Sequence, residues 1–106
     1  MSHNTPTPFP PDVTIRYATE DDAPALARLA VLDSQALPEG VLLVAQVGDE
    51  LWAALSVTAE GAIADPFRRS ADALALLDAR ARQLRRRPGT QPAFEPAAWL
   101  RAAVAA

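Results

Sequence analysis

The residues best suited to chemistry are Asp65-Pro66-Phe67-Arg68-Arg69-Ser70. They join the apolar run Ala62-Ile63-Ala64 to a helical pattern over 71–87. A strand that enters a helix through an arginine-bearing loop is a common plan for holding phosphate. The helix N-terminus offers free N–H groups and the positive end of its dipole. Arg68 and Arg69 would add charge, and Ser70 a hydroxyl. The loop contains no glycine, however, and Asp72 places a carboxylate just inside the helix. Two like unit charges about 4 Å apart repel by roughly 1 kcal/mol in water, and by more when partly desolvated. The absence of glycine therefore favours a plainer reading, a solvated loop in which Asp65 and Asp72 partner the arginines.

Other candidates are weaker. Arg80, Arg82, Arg85, Arg86 and Arg87 could bind RNA or an acidic protein. No aromatic platform accompanies them, and basic residues at a helix end also complement its dipole. Glu20, Asp21 and Asp22 could hold a metal or act as a base, but three acids at a helix start are explained by that same dipole. His3 is the only histidine and lies in a proline-rich start, so no Ser/His/Asp set can be assembled. No catalytic residue and no metal ligand is assigned. Trp52 reads as a packing residue on a sheet face. Phe94, Trp99 and Leu100 lie beyond the last strong helix, and would either fold back, dock on a second copy or stay disordered.

The elements that must position these residues follow from periodicity. Val13–Tyr17 alternates in β-rich residues and predicts a strand. Thr19 and Asp22 have capping-box spacing before a helix over 19–33, with Pro24 in its first turn and Leu26, Leu29, Ala30 and Asp33 on one face. Three closely spaced strands follow, at 41–47, 51–58 and 62–65, so an antiparallel meander is expected. Leu43 and Ala45 alternate with Leu42 and Val44, while Leu51, Ala53, Leu55 and Val57 alternate with Trp52 and Ala54. Such a sheet is apolar on both faces and needs cover on both. The second helix, 71–87, has Ser70 as its expected N-cap and a stripe of Leu74, Leu77, Ala81 and Leu84. Pro88-Gly89 stops it.

Length and composition set the outer bounds. The chain has 106 residues, enough for one small domain. Four prolines in residues 1–12 suggest a disordered N-terminal arm. Pro88, Pro92 and Pro96 mark 88–106 as a proline-rich linker followed by a short helix or tail. That leaves 13–87 as the folded unit, near the lower size limit for a self-sufficient core. A net charge of −3 argues against nucleic acid as the main partner. No cysteine is present, the start lacks a signal-peptide pattern, and no apolar run approaches the ~20 residues of a membrane span. A cytoplasmic protein away from membranes is the expectation.

The order strand, helix, three antiparallel strands, arginine loop, helix resembles the first half of the GNAT superfamily of acyl-CoA-dependent N-acyltransferases. Three segments carry the likeness: Thr14 to Leu26, Val44 to Leu55, and Ala64-Asp65-Pro66-Phe67-Arg68-Arg69. It covers about 13–87. The resemblance implies an α+β half-domain, with helices 19–33 and 71–87 covering the sheet. It also implies that Arg68, Arg69 and Ser70 mark the acetyl-CoA pyrophosphate position. The family uses Arg or Gln followed by x-x-Gly-x-Gly or Ala there. In this chain the glycine positions fall at or near Ser70 and Asp72, and nothing after Gln91 supplies the second half of the fold. The only tyrosine, Tyr17, sits on the first strand.

Two expectations follow. The first is a non-catalytic binding or assembly module with a degenerate acyl-CoA site and no required cofactor. It would be a homodimer, or bind another protein, through the 62–65 edge strand or the C-terminal tail. The second is an acyl-CoA-dependent N-acetyltransferase or CoA-binding protein completed by dimerisation.

Overall fold

The computed structural model describes residues 13–87, 89 and 91–105. The expected arm over 1–12, and His3 with it, lies outside them. Strands β1 (Val13–Tyr17), β2 (Leu42–Val47), β3 (Glu50–Ser56) and β4 (Ala62–Ala64) form one antiparallel sheet in the order β1-β2-β3-β4. Helices α1 (Ala23–Leu32), α2 (Ser70–Arg86) and α3 (Pro96–Ala105) complete the α+β architecture. No described helix is long and apolar enough to cross a membrane.

Both sheet faces are covered, as the two-sided apolar pattern requires. On one face Leu43, Ala45, Ala53, Val57 and Ala64 pack with Ala73, Leu77 and Ala81 of α2. On the other, Leu42, Val44, Ala54 and Ile63 pack with Leu26 and Leu29 of α1. Each large side chain buried here contributes about 1.5–3 kcal/mol. These two clusters hold the sheet between the helices and fix the loops at its ends.

One register shift alters the expected alternation. Ala45 faces Ala53, but the next residue, Gln46, faces Leu51. Trp52 is therefore the extra residue of a β-bulge, which reverses the side on which the preceding residues fall. Leu51 packs with the α1 cluster, not with Ala53 and Leu55 on the α2 side.

Local chemistry shifts several boundaries. The expected 19–33 helix opens as a 3-10 turn over Glu20–Asp22, and regular α-helix begins at Ala23. Pro24 has no N–H to donate and fits only in a helix's first turn. α1 ends in a Schellman arrangement, with Gln35 N–H donating to Ala30 C=O and Ser34 N–H to Val31 C=O. Ser34 adopts a φ of 54°, the left-handed region in which glycine is favoured. Asp33 then reaches β4, where its Oδ2 accepts from Ala64 N–H at 3.0 Å. β4 stops at Ala64 because Asp65 turns the chain, its Oδ1 accepting from Phe67 N–H at 2.8 Å.

At the opposite end of the sheet, side chains stitch the loops together. Ser56 Oγ donates to Glu39 C=O and accepts from Ala59 N–H, while Thr58 Oγ1 accepts from Val41 N–H. Gly40, with φ 81°, passes directly against Thr58. Arg85 from α2 donates to the carbonyls of Ser56 and Val57 at 2.9 and 3.0 Å. Helix α3 is tied to the same end by Arg101, which donates to both oxygens of Glu39 at 2.7 and 3.0 Å. That pairing holds the Glu39 carboxyl below its ordinary range.

Candidate functional site

The β4–α2 loop lies beside the β2–β3 hairpin, so the bulge and the loop face each other. Asp65 N–H donates to Trp52 C=O at 2.9 Å and fixes that approach. Arg68 Nη2 then donates to Glu50 Oε2 at 2.9 Å, and its guanidinium carbon lies 5.8 Å from the Trp52 ring centre. Trp52 Nε1–H donates to Glu50 Oε1 at 3.3 Å. Arg68, Glu50 and Trp52 thus form a closed surface cluster. The expectation that Arg68 has acidic company holds, but the partner is Glu50 rather than Asp65 or Asp72. Trp52 is half-buried on β3, at the bulge, and Arg68 lies over its ring.

Ser70 corrects its expected role as N-cap. It is the first residue of α2, with Arg69 at the capping position and no side-chain cap present. Its buried hydroxyl donates back to Asp65 C=O at 2.9 Å. Helix α2 therefore starts one residue earlier than predicted. Arg69 is exposed and joins none of the ion pairs among the described residues. Asp72 stands in the first turn of α2, as the sequence predicts. Phe67 is 81% exposed. The three candidates, Arg68, Arg69 and Ser70, are adjacent in the fold, and of them Arg69 alone has no side-chain hydrogen bond or ion pair among the described residues.

The crevice beside this loop has a volume of about 70 Å³ and is lined by Asp49, Glu50, Asp65 and Arg28 among its charged residues. A pocket for a drug-sized ligand occupies roughly 300–1,000 Å³. The crevice holds a couple of waters at most, and three carboxylates give it the wrong sign for phosphate. A larger basin, about 730 Å³ and open, lies between the β3–β4 turn and α2. Its Arg85 is spent on two carbonyls, its Asp78 pairs with Arg82, and the Ser56 and Thr58 hydroxyls in its lining are engaged with backbone groups.

The acidic helix start is more than dipole chemistry. Arg16 Nη1 and Nη2 donate to Asp22 Oδ2 and Oδ1 at 2.8 and 2.9 Å, and Asp22 Oδ2 also accepts from Thr19 N–H at 2.7 Å. Arg16 holds the buried Asp22 carboxyl below its ordinary range, against the opposing effect of burial, and the Thr19 N–H adds to the lowering. Arg16 Nε donates to Gln46 Oε1 at 2.9 Å. The predicted capping role of Asp22 is present, but its partner Arg16 was not visible in the sequence. No group of three His, Asp or Glu side chains among the described residues is placed to hold a metal.

Next to this helix start Phe94 and Trp99 meet edge to face, with ring centres 6.0 Å apart. They line an open groove of about 600 Å³ with Glu20 and Glu95. No family model matches the chain, and neither a curated protein nor a solved structure was found to be similar to it.

Proposed function

We propose that this protein is a non-catalytic assembly module built on a GNAT-like half-fold, and that it works as a homodimer in the cytoplasm. The observation that carries the reading is the closed state of the arginine loop. Arg68 is held by Glu50 and Trp52, and the Ser70 hydroxyl is turned back onto Asp65. The neighbouring crevice is small and acidic. An acyl-CoA site on this plan would have to break the Arg68 cluster and seat two phosphates beside Asp72. Of the two expected dimer contacts, the C-terminal tail is favoured. β4 is three residues long, and Asp33 already occupies the Ala64 N–H.

The second reading, a CoA-binding protein or N-acetyltransferase completed by dimerisation, draws on one feature. Arg69 is exposed at the N-terminus of α2, where free N–H groups gather. Calorimetry with acetyl-CoA at low salt separates the two readings, with the oligomeric state measured on the same sample. The expected result is a dimer and no saturable heat. Saturable binding that is lost in Arg69→Ala and strengthened in Asp72→Gly would overturn the assembly reading in favour of the second.

A further inference from the structure

We propose that the dimer is held by the arginine tip of α2 from one copy seated in the Phe94–Trp99 groove of the other, reciprocally about a twofold axis. This rests on the assembly reading above and names its surface and its occupant. The groove is open, about 600 Å³, and combines two aromatic rings with the carboxylates of Glu20 and Glu95. Trp99 remains 39% exposed, and neither glutamate takes part in an ion pair among the described residues. A flat π surface flanked by carboxylates suits a guanidinium, which stacks on the ring while donating to the oxygens.

The chain carries such guanidiniums. Arg80, Arg86 and Arg87 line a concave tip on α2, and all three are exposed. Arg82 is paired with Asp78, and Arg85 is spent on the Ser56 and Val57 carbonyls. Arg80 donates only to Gln83, while Arg86 and Arg87 join no ion pair among the described residues. A chain of net charge −3 thus gathers positive charge that no described carboxylate pairs at one point and an aromatic, acidic groove at another. The molecule already uses this recognition once, where Arg68 contacts Glu50 and lies over Trp52.

The two patches lie at the same end of the molecule. Arg85 binds the end of β3, Val57 N–H donates to Val41 C=O, and Glu39 just before it holds Arg101 of α3. Complementary patches that share one end let a twofold pair exchange both contacts at once and close, with none left to build a fibre.

Charge reversal on the full chain tests this by sedimentation velocity, with circular dichroism to verify folding. Arg86→Glu/Arg87→Glu faces an acidic tip with an acidic groove, and Glu20→Arg/Glu95→Arg faces a basic tip with a basic groove. Each variant alone is expected to be monomeric. An equimolar mixture is expected to dimerise, because both contacts are complementary again. Trp99→Ala should weaken the wild-type dimer about tenfold. Raising salt from about 0.05 M to 0.5 M should weaken it by at least as much. A wild-type dimer that persists in both reversed variants would overturn this surface and leave the assembly reading standing. A wild-type chain that stays monomeric up to millimolar concentration would remove both. Saturable binding of single-stranded RNA, lost in Arg86→Glu/Arg87→Glu, would assign the tip to nucleic acid and overturn the proposal.

Discussion

Asp22→Asn should be among the most costly polar substitutions in the protein. The carboxylate accepts two bonds from Arg16 at 2.8 and 2.9 Å and one from Thr19 N–H at 2.7 Å. Hydrogen bonds to charged groups contribute about 1.5–3 kcal/mol each when protected from water. The Arg16 side chain is 33% exposed, which screens its share, whereas the Asp22 side chain is only 11% exposed. An asparagine would keep one acceptor and turn an NH2 group towards a guanidinium. The net cost is about 2–3 kcal/mol. With a urea m-value of about 1 kcal/mol/M for a chain of this size, the midpoint should fall by about 2–3 M. A double-mutant cycle with Arg16→Gln should return a coupling of about 1–2 kcal/mol. The pH dependence has a defined sign. The folded carboxyl is held below its ordinary value of 3.8. Its contribution is therefore complete above that value and disappears as pH falls through the lower folded value. The gap between wild type and Asp22→Asn should be constant near neutrality and shrink in acid. A gap under about 0.5 kcal/mol at pH 7, or one that does not narrow in acid, would refute the reasoning.

Three further substitutions test the local arguments. Ser34→Gly relieves a left-handed residue and should stabilise by about 0.5–1 kcal/mol after the larger unfolded-state entropy of glycine is counted, read as a rise in Tm. Gly40→Ala should cost about 2–4 kcal/mol, from its positive φ and from displacing the Thr58 hydroxyl that serves Val41 N–H; in urea titration, Thr58→Ala should partly relieve the clash. Asp33→Ala removes the partner of the Ala64 N–H and should cost about 1–2 kcal/mol while raising light scattering on heating, because the outer edge of β4 is then open.

Much of the fold was legible because its signals are local. Leu42 to Ala45 alternates between the two apolar faces, and Leu74, Leu77, Ala81 and Leu84 repeat at helical steps. Both patterns survive folding because each residue's face is set by its own element. What escaped depends on pairing between elements. The bulge at Trp52 is a property of how β3 registers on β2, and nothing in Glu50-Leu51-Trp52 announces it. Glu50 and Trp52 become partners of Arg68 only through that bulge. Arg16 meets Asp22 only because the chain doubles back between strand and helix. Ser70 carried an N-cap signal, but the carbonyl of Asp65 lay within reach of its hydroxyl, and the helix took one more residue. At the candidate loop the sequence itself shows that no glycine is present and that Asp72 stands just inside the helix. The closure by Glu50 needed the third dimension.

The α2 side of the sheet is lined largely by Ala45, Ala53, Ala64, Ala73 and Ala81, while the α1 side holds Leu26, Leu29, Leu42 and Ile63. Volume is therefore distributed unequally between the two halves of the interior. Enlarging a fully buried alanine on the α2 side, such as Ala45, Ala53 or Ala81, should overpack the seam at about 1–3 kcal/mol per step. The large buried residues of this seam are Leu43, Val57 and Leu77. On the α1 side the opposite perturbation is open, since truncating Leu29 or Ile63 would leave an apolar void.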